Sequence, residues 1–542
     1  MMGVNLNSKG QLDLFREHYQ GAYFVDKSKI LQLLNRNIGT SGKYICITRP
    51  RRFGKTVMTN LITSYYAKGL DSKEIFEHLQ IAGSPEYEKH LNQHNVISMY
   101  MSDVPEECKE YGDYIRFHSR RIKRELKSTF SQCQIELEDS LWEILEMIYG
   151  ETGERFIFII DEWDSIFHND MFTEQDGSSY LLFLKNLLKD RPYVELAYMT
   201  GILPIRKYSS GSELNMFDEF YFPTDSIYDT YFGFTQEEVK ELCERNQRSG
   251  GNISYEQLSE WYNGYYTFHG EKLYNPRSVN KAFTQNRVKD YWTETGPGTE
   301  ILYLVQKNVA AVRDEIVCMV SGEEIYFSED DFVTDVEPLE SREEIFSAMV
   351  IYGFLSYYKS CLSIPNKEIM KKFQRVLRDK SMGYIAELVK NSEAMLQATL
   401  AGDTDKMEQI LEYVHDTEIP ILQYNDENSL SCIVNLIYLN ARDRYRIERE
   451  EKSGKGFVDF IFYPYDKSRP GIILELKKDK SPEAAIEQIK EKNYAAKFQV
   501  LQDGSREYTG KVLAVGMNYD SQKKIHSCKV EELTAGARQA SI

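Results

Sequence analysis

Two groups of residues have the types and spacing for phosphate chemistry. The first is RPRRFGKT, Arg49 to Thr56, set between an apolar run, KYICIT, and a helical pattern, MTNLITSYYAKG. A phosphate-binding P-loop reads GxxxxGK[ST] in that same context. Gly54 would let the backbone approach a phosphate, Lys55 would neutralise the β- and γ-phosphates, and Thr56 would ligate magnesium. The amides of the Arg52-Phe53-Gly54 turn and of the following helix start would complete the anion site. The first consensus glycine is replaced by Arg49, and a bare GK[ST] occurs by chance in many chains. The competing reading is a basic surface loop.

FIFIIDEWD, Phe156 to Asp164, is an apolar run that ends in acidic residues. In a Walker B strand Asp161 would hold magnesium through water and Glu162 would polarise the attacking water. Acidic residues after a strand also open helices, which is the plain structural alternative. Thr200, ending VELAYMTG, is a candidate γ-phosphate sensor, against an ordinary Thr-Gly turn. Arg206 just beyond it is a candidate transition-state arginine, with a surface ion pair as its competing reading.

The second group is Asp459 in GFVDFIFY, with Glu475 and Lys477 in GIILELK. Residues two apart in a strand point to the same face. Glu475 and Lys477 should therefore project together while Leu474 and Leu476 face a core, and Asp459, one strand over, can join them. Two carboxylates and a lysine suit metal-dependent phosphodiester hydrolysis. The carboxylates would hold magnesium, which polarises the phosphate and acidifies a water, and the lysine would orient that water or stabilise charge. An aspartate in an apolar strand costs stability unless it is paired or metal-bound. Gln488 and Tyr494, expected on the next helix, could steady a metal-bound water or the scissile phosphate, and Glu427 is a further candidate ligand. The alternative is a solvated sheet edge with an ordinary Glu–Lys face.

These residues need elements to position them, and the chain divides into three stretches. To about Asp290, the strand-like runs KYICIT, NVISMYM, RFIFIID and VELAYMTG alternate with helical segments such as Tyr114 to Phe130 and Tyr180 to Asp190. That alternation implies a parallel sheet with helices on both faces. From Tyr291 to Glu418 the reading is mainly helical. Within it, Tyr352 to Ile369 reads as helix, hairpin and helix, either a winged-helix-like unit or an irregular connector. From Ile419 a small α/β unit follows, with GFVDFIFY, GIILELK and KVLAVGMNY as strands. Its apolar helix is NSLSCIVNLIYLNA, and an amphipathic helix, Ser481 to Phe498, opens on Ser-Pro-Glu. The expected fold class is α/β: a P-loop NTPase at 1–290, a helical, winged-helix-like connector at 291–418 and a small α/β domain at 419–542.

Composition bounds the function. The 542 residues allow about three to four domains at roughly 150 each. With 66 basic and 84 acidic residues, net −18, the chain is not a nucleic-acid-coating protein. Ala441 to Val500 nonetheless carries 14 basic against 11 acidic residues, a local tolerance for a polyanion. Arg116 to Lys127 is a second basic cluster, dominated by Arg120, Arg121, Lys123, Arg124 and Lys127, either a nucleic-acid contact or a solvated helix face. A hydrophobic content of 42% with 28% charged residues argues against disorder. Eight scattered cysteines without CxxC point to a reducing compartment and away from a disulfide or zinc scaffold. No run approaches the roughly 18 apolar residues of a spanning helix, and the opening MMGVNLNSKGQLDLF lacks a secretory pattern. A cytoplasmic chain with no membrane partner is expected, and a homo-oligomer is compatible with the sequence.

Taken in order, GAYFVDKSKILQLL (Gly21 to Leu34), CITRPRRFGKT, FIFIIDEWD, WYNGYYTF with LYNPRSV (Trp261 to Val279), and YGFLSYYKSCLSIPNKE resemble the AAA-ATPase-like family. GKGFVDFIFY, GIILELK and AIEQIKEKNY are similar to the PD-(D/E)XK nuclease-type domain that prokaryotic members often carry at the carboxy terminus. The resemblance spans nearly the whole chain. It implies that 419–542 has a restriction-endonuclease-like fold and that Arg49 in place of glycine is the group's own form. It carries Lys55, Thr56, Asp161 and Glu162 onto nucleotide and magnesium roles, and Asp459, Glu475 and Lys477 onto a nuclease core with Gln488 and Tyr494 as its helical extension. ATP and Mg2+ are then the expected cofactors, and nucleic acid, DNA first, is the expected partner of the C-terminal domain.

The leading expectation is ATP binding and hydrolysis coupled to Mg2+-dependent DNA cleavage. One rival is a STAND-like nucleotide-controlled switch whose nuclease-type domain binds nucleic acid or a partner without cleaving; another is a stand-alone ATPase with a structural C-terminal domain. Asp26 is read as the N-cap before KSKILQLL, in a segment that in the family could cover the adenine. Arg277 in NPRSV, at the start of a lid helix, could approach the nucleotide.

Overall fold

The computed structural model describes residues 4–205, 213–222, 224–292, 300–332, 339–416, 433–448, 459–498 and 510–533. The chain forms two units, Met1–Asn308 with Tyr326–Met370, and Val309–Ile325 with Lys371–Ile542.

In the first unit the four apolar runs become strands β1 (Tyr44–Thr48), β2 (Asn95–Tyr100), β3 (Phe156–Asp161) and β4 (Val194–Gly201). A fifth, β5 (Asp218–Tyr221), extends the sheet, and its sequence, DEFY, has no apolar run to announce it. All pairs are parallel, in the order β2-β3-β4-β1-β5. Runs of Ile, Phe and Val without alternation are what a sheet covered on both faces requires, and β1 and β3 are buried along their whole length. Helices Tyr111–Thr129, Leu141–Thr152 and Glu174–Leu188 pack Ile122, Ile144 and Leu184 against Phe158 and Ile160. On the first of these, Arg120, Arg121, Arg124 and Lys127 are exposed while Ile122 and Leu126 are buried, the pattern of an amphipathic helix. The registers Thr48↔Gly201 and Asp161↔Thr200 bring the carboxyl ends of β1, β3 and β4 level. Open parallel sheets bind ligands outside that edge.

A small antiparallel sheet (Phe234–Thr235, Tyr265–Tyr266, Lys272–Tyr274) follows, with helices Gln236–Arg248, Tyr255–Tyr262 and Pro276–Gln285 packed around Val239, Leu258 and Val279. Helix Arg342–Ile351, the hairpin of Ser356–Tyr358 with Cys361–Ser363, and helix Lys367–Leu377 then supply the expected helix–hairpin–helix.

The second unit holds a mixed sheet of β6 (Tyr445–Glu448), β7 (Phe460–Pro464), β8 (Gly471–Lys478), β9 (Val512–Asp520) and β10 (Ile525–Leu533), in chain order. Only β8 and β9 pair in parallel, and helix Pro482–Glu491 makes the crossover between them. Its Ile486 and Ile489 pack with Ile461, Ile473 and Ala514. Gly516 lies opposite Glu475 in the register, and a Cβ there would overlap the Pro482 carbonyl oxygen, so this glycine sets how closely the helix lies on the sheet.

Two expectations need correction. The ladder with β8 begins at Phe460↔Leu474, so Asp459 stands one residue before β7 and not inside a strand. Tyr494 is not on the helix that carries Gln488: Asn493 adopts φ 51°, ending the helix, and Tyr494 opens a separate turn, Tyr494–Phe498. Among the described residues no helix is long and apolar enough to cross a membrane.

Candidate nucleotide site and candidate metal centre

The loop Arg49–Gly54 joins β1 to helix Lys55–Tyr66. Gly54 takes φ 93°, a conformation that favours glycine, and the helix behind it has no side-chain cap. Its first amides therefore stay available to an anion. Arg52, at φ 71°, is strained for a residue with a side chain. Its guanidinium donates to the carbonyl oxygens of Tyr291, at 2.9 Å, and Trp292. Phe53 is buried edge-on against Tyr265, and its carbonyl accepts the Gly233 amide at 3.2 Å. Both residues expected at the cofactor thus have side chains engaged within the protein, while both line the cleft described below.

Arg49 explains its own departure from the consensus. It is 2% exposed, donates to the carbonyls of Thr48 (2.8 Å) and Phe220 (3.0 Å), and pairs with the Asp225 carboxylate. Asp225 in turn accepts the amides of Ile227 and Tyr228. The residue at the glycine position is a satisfied internal ion pair that ties β1 to β5 and to the turn after it.

Lys55 is buried and donates to the carbonyls of Arg49 (2.8 Å) and Pro50 (3.0 Å). Burial pulls its pKa down to about 8, with Asp164, Asp161 and Glu162 opposing. Asp161, 2% exposed, ends β3. It accepts the Glu162 amide at 3.0 Å and the Thr56 hydroxyl, and its Oδ2 lies 3.4 Å from Thr59 Oγ1. Burial first and the Glu162 charge second raise its pKa to about 6. Glu162 is exposed at φ 52°. Thr200 is buried beside Asp161 in the register, and its hydroxyl has no hydrogen-bond partner. Lys55, Thr56, Asp161, Glu162 and Thr200 are thus brought to one edge of the sheet.

Asp164 did not stand out in the sequence, because one more carboxylate in DEWD looks like any helix start. It is buried, accepts the amides of Ile202 (3.0 Å) and Leu203 (2.8 Å), and lies 3.3 Å from His168 Nε2. Burial alone would raise its pKa, but His168 and the two amides outweigh it and hold the carboxyl below the ordinary range. Gly201 is needed there: a Cβ would come within 2.5 Å of Asp164 Oδ1 and 2.6 Å of the Trp163 ring.

A cleft of about 1090 Å³ overlies these residues, lined by Gly54, Lys55, Thr56 and Glu162 and by Tyr23, Val25, Arg277 and Phe283. Tyr23 stacks on Phe283 with ring centroids 4.8 Å apart, an apolar wall of the kind that suits a base. Arg277, two residues after the capping Asn275, has a buried Nε with no hydrogen-bond partner. Asp26 is not the N-cap of the next helix. Its Oδ1 accepts the Ser28 amide (2.8 Å) and its Oδ2 the Gln80 amide (2.7 Å), a local turn that competes with capping, and helix Ile30–Asn37 starts after Lys29. Arg206 and Glu427 lie outside the described residues.

In the second unit Asp459 Oδ2 accepts the Leu476 amide at 2.7 Å. Glu475, 2% exposed, lies on the face that helix Pro482–Glu491 covers. Lys477 Nζ is 2.7 Å from both Glu475 Oε1 and Gln488 Oε1, and Gln488 Nε2 also donates to Glu475. The Tyr494 hydroxyl is hydrogen-bonded to Gln488. Glu475 Oε2 is buried with no hydrogen-bond partner. Burial, then the Asp459 charge, raises the Glu475 pKa to about 7, with Lys477 opposing. Asp459, Glu475, Lys477, Gln488 and Tyr494 therefore meet.

A bare carboxylate oxygen beside a second carboxylate is unfavourable until a cation or proton joins it. Among the described residues no group of three or more His, Cys, Asp or Glu could hold a metal. Two carboxylates fit magnesium, which commonly takes one or two and keeps several waters.

Residues 13–210 match the family of predicted AAA-ATPases, and residues 425–527 match the PD-(D/E)XK nuclease superfamily. A protein of Azotobacter chroococcum, named as an uncharacterized protein in the vnfD 5′ region, is 21% identical over 501 residues, covering 88% of this chain and 90% of that one. Among solved structures, the Walker-type ATPase of Pyrococcus abyssi is similar at 12% identity and a TM-score of 0.34, over 64% of this chain and 94% of its own. The ORC2 protein of Aeropyrum pernix, in its ADPNP–ADP complexes, is similar at 12% identity and a TM-score of 0.32, over 66% and 93%.

Proposed function

We propose that this chain, which carries a predicted AAA-ATPase domain and a PD-(D/E)XK nuclease superfamily domain, binds and hydrolyses ATP in its first unit and thereby governs Mg2+-dependent DNA cleavage in its second. The three-part organisation 1–290, 291–418 and 419–542 belongs to the same proposal.

In the nucleotide site Lys55 neutralises phosphate charge, and the uncapped helix start supplies amides to the same anion. Thr56 and Asp161, already in contact, would hold magnesium. Glu162 orients the attacking water, and the unpartnered Thr200 hydroxyl and Arg277 Nε supply donors to the phosphate.

In the second site Asp459 and Glu475 would hold magnesium, which when bound polarises the phosphodiester and acidifies water. Lys477 offsets the two carboxylates and stabilises charge on the phosphate. Gln488 and Tyr494 fix where Lys477 and Glu475 point. The observation that carries the nuclease reading is the partnerless Glu475 Oε2 beside Asp459, with Lys477 at 2.7 Å from the other oxygen.

The test is nicking of supercoiled DNA by the full chain in Mg2+ or Mn2+ with ATP. Nicked or linear product is expected from the wild type and none from Glu475→Ala. Intact DNA in every condition, with ATP still hydrolysed, would contradict the nuclease half and favour a switch that binds without cutting.

A further inference from the structure

Outside the residues assigned above, one buried carboxylate gathers several polar contacts. Glu368, the second residue of helix Lys367–Leu377, is 0% exposed. Its Oε1 accepts the amides of Tyr291 (2.6 Å) and Trp292 (2.7 Å), and the Ser278 hydroxyl lies 2.9 Å from its Oε2. The carbonyls of the same two residues, Tyr291 and Trp292, accept the Arg52 guanidinium. Glu368 and Arg52 therefore grip one short piece of main chain, the first through its amides and the second through its carbonyls. Ser278 follows Arg277, so the same carboxylate also holds the first turn of helix Pro276–Gln285.

Packing alone does not account for this residue. A buried carboxylate costs several kcal/mol unless its hydrogen bonds are met, and an apolar side chain would fill the space at no such cost. Here the groups that meet it belong to the segment gripped by the P-loop arginine and to the helix that lines the cleft. A second contact comes from the same helix–hairpin–helix. Gly353, at φ 81°, lies so close to the P-loop that a Cβ would come within 2.7 Å of Pro50 Cβ, and its carbonyl accepts the Tyr265 hydroxyl at 2.7 Å.

We propose that Glu368 is a positioning residue of the nucleotide site: it fixes the Tyr291–Trp292 segment that orients Arg52 in the P-loop, and the helix turn that carries Arg277. The inference rests on the nucleotide reading above. Glu368 acts through Arg52 and Arg277 and not on the nucleotide itself. The chain passes from the first unit to the second within helix Lys367–Leu377, after Met370. An element held by the nucleotide site is thus continuous in sequence with the second unit.

Titration of the full chain with a fluorescent ATP analogue tests the proposal. Glu368→Leu removes every acceptor and is expected to weaken analogue binding about tenfold, as is Arg52→Ala. The double variant should be no weaker than Glu368→Leu alone, because Glu368→Leu has already released the segment through which Arg52 is held. Glu368→Gln should recover most of the affinity, since one amide oxygen can still accept both main-chain N–H groups. A folded Glu368→Leu protein with wild-type affinity, or losses that multiply in the double variant, would overturn it.

If Glu368→Leu does not fold, Ser278→Ala removes only one hydroxyl and should still weaken binding about threefold; unchanged binding there overturns the proposal as well. A wild-type chain that binds no analogue fails the nucleotide reading and takes this proposal with it. That result is distinct from wild-type binding that Glu368 does not influence.

Discussion

The two candidate sites set cations beside carboxylates by opposite means. In the first unit several polar side chains are clamped by main chain: Arg49, Arg52 and Lys55 donate to carbonyls, and Asp164 accepts amides. Its parts come from stretches as far apart as Tyr23 and Phe283. In the second unit Glu475, Lys477 and Gln488 hold one another side chain to side chain, within two consecutive elements, β8 and helix Pro482–Glu491. A site clamped by main chain is inseparable from strand register and loop path, so changes in it are felt as stability. A site held by side chains can lose its chemistry while the backbone stays where it is.

That contrast can be broken from either side. The largest effect belongs to the second site: Glu475→Ala or Lys477→Ala should lower DNA cleavage about a thousandfold, with circular dichroism unchanged. Loss of fold in either variant would remove the distinction. Next comes Arg49→Gly, which restores the consensus glycine yet leaves Asp225 buried and unpaired. It should cost about 3–5 kcal/mol in denaturant unfolding, and a variant as stable as the wild type would refute the structural role given to Arg49. Gly201→Ala, forced against Asp164 and Trp163, should cost about 1–3 kcal/mol by the same measurement.

A pH dependence compares the two sites directly. Asp161 and Glu475 both have raised folded-state pKa values, about 6 and about 7. Each contributes stability that is complete in acid, below its unfolded value, and lost as pH rises through its raised value. Without divalent ions, Asp161→Asn should therefore gain on the wild type up to about pH 6 and Glu475→Gln up to about pH 7. The gain is on the order of 3 kcal/mol, read from thermal unfolding across pH. Equal stability of variant and wild type at every pH would show that burial does not act as described.

What the sequence made legible follows from where one residue type has one environment. β1 to β4 are continuous apolar runs, and a sheet buried on both faces leaves few other placements for them. Lys55, Thr56 and Asp161 stood out because a glycine-lysine turn and an acidic strand end recur in one arrangement. β5, β6 and β10 did not, because edge strands pair on one side and carry mixed residues. Arg49 looked like a defect in a motif because its partner, Asp225, lies far along the chain. Asp459 falls one residue outside its expected strand and Tyr494 one element beyond its expected helix, since strand and helix ends depend on local turns such as the one at Asn493. Glu368 gave no signal at all: a glutamate at a helix start is ordinary until Arg52, Tyr291 and Ser278 are seen around it.

The central claim is that the nucleotide site governs the cleavage site. It is tested most directly by the rate of DNA cleavage at saturating DNA, with and without ATP, in the wild type, Lys55→Ala and Glu475→Ala. The account predicts cleavage that changes with ATP in the wild type, cleavage indifferent to ATP in Lys55→Ala, and none in Glu475→Ala. Lys55→Ala protein that cleaves as the wild type does, with the same response to ATP, would contradict it.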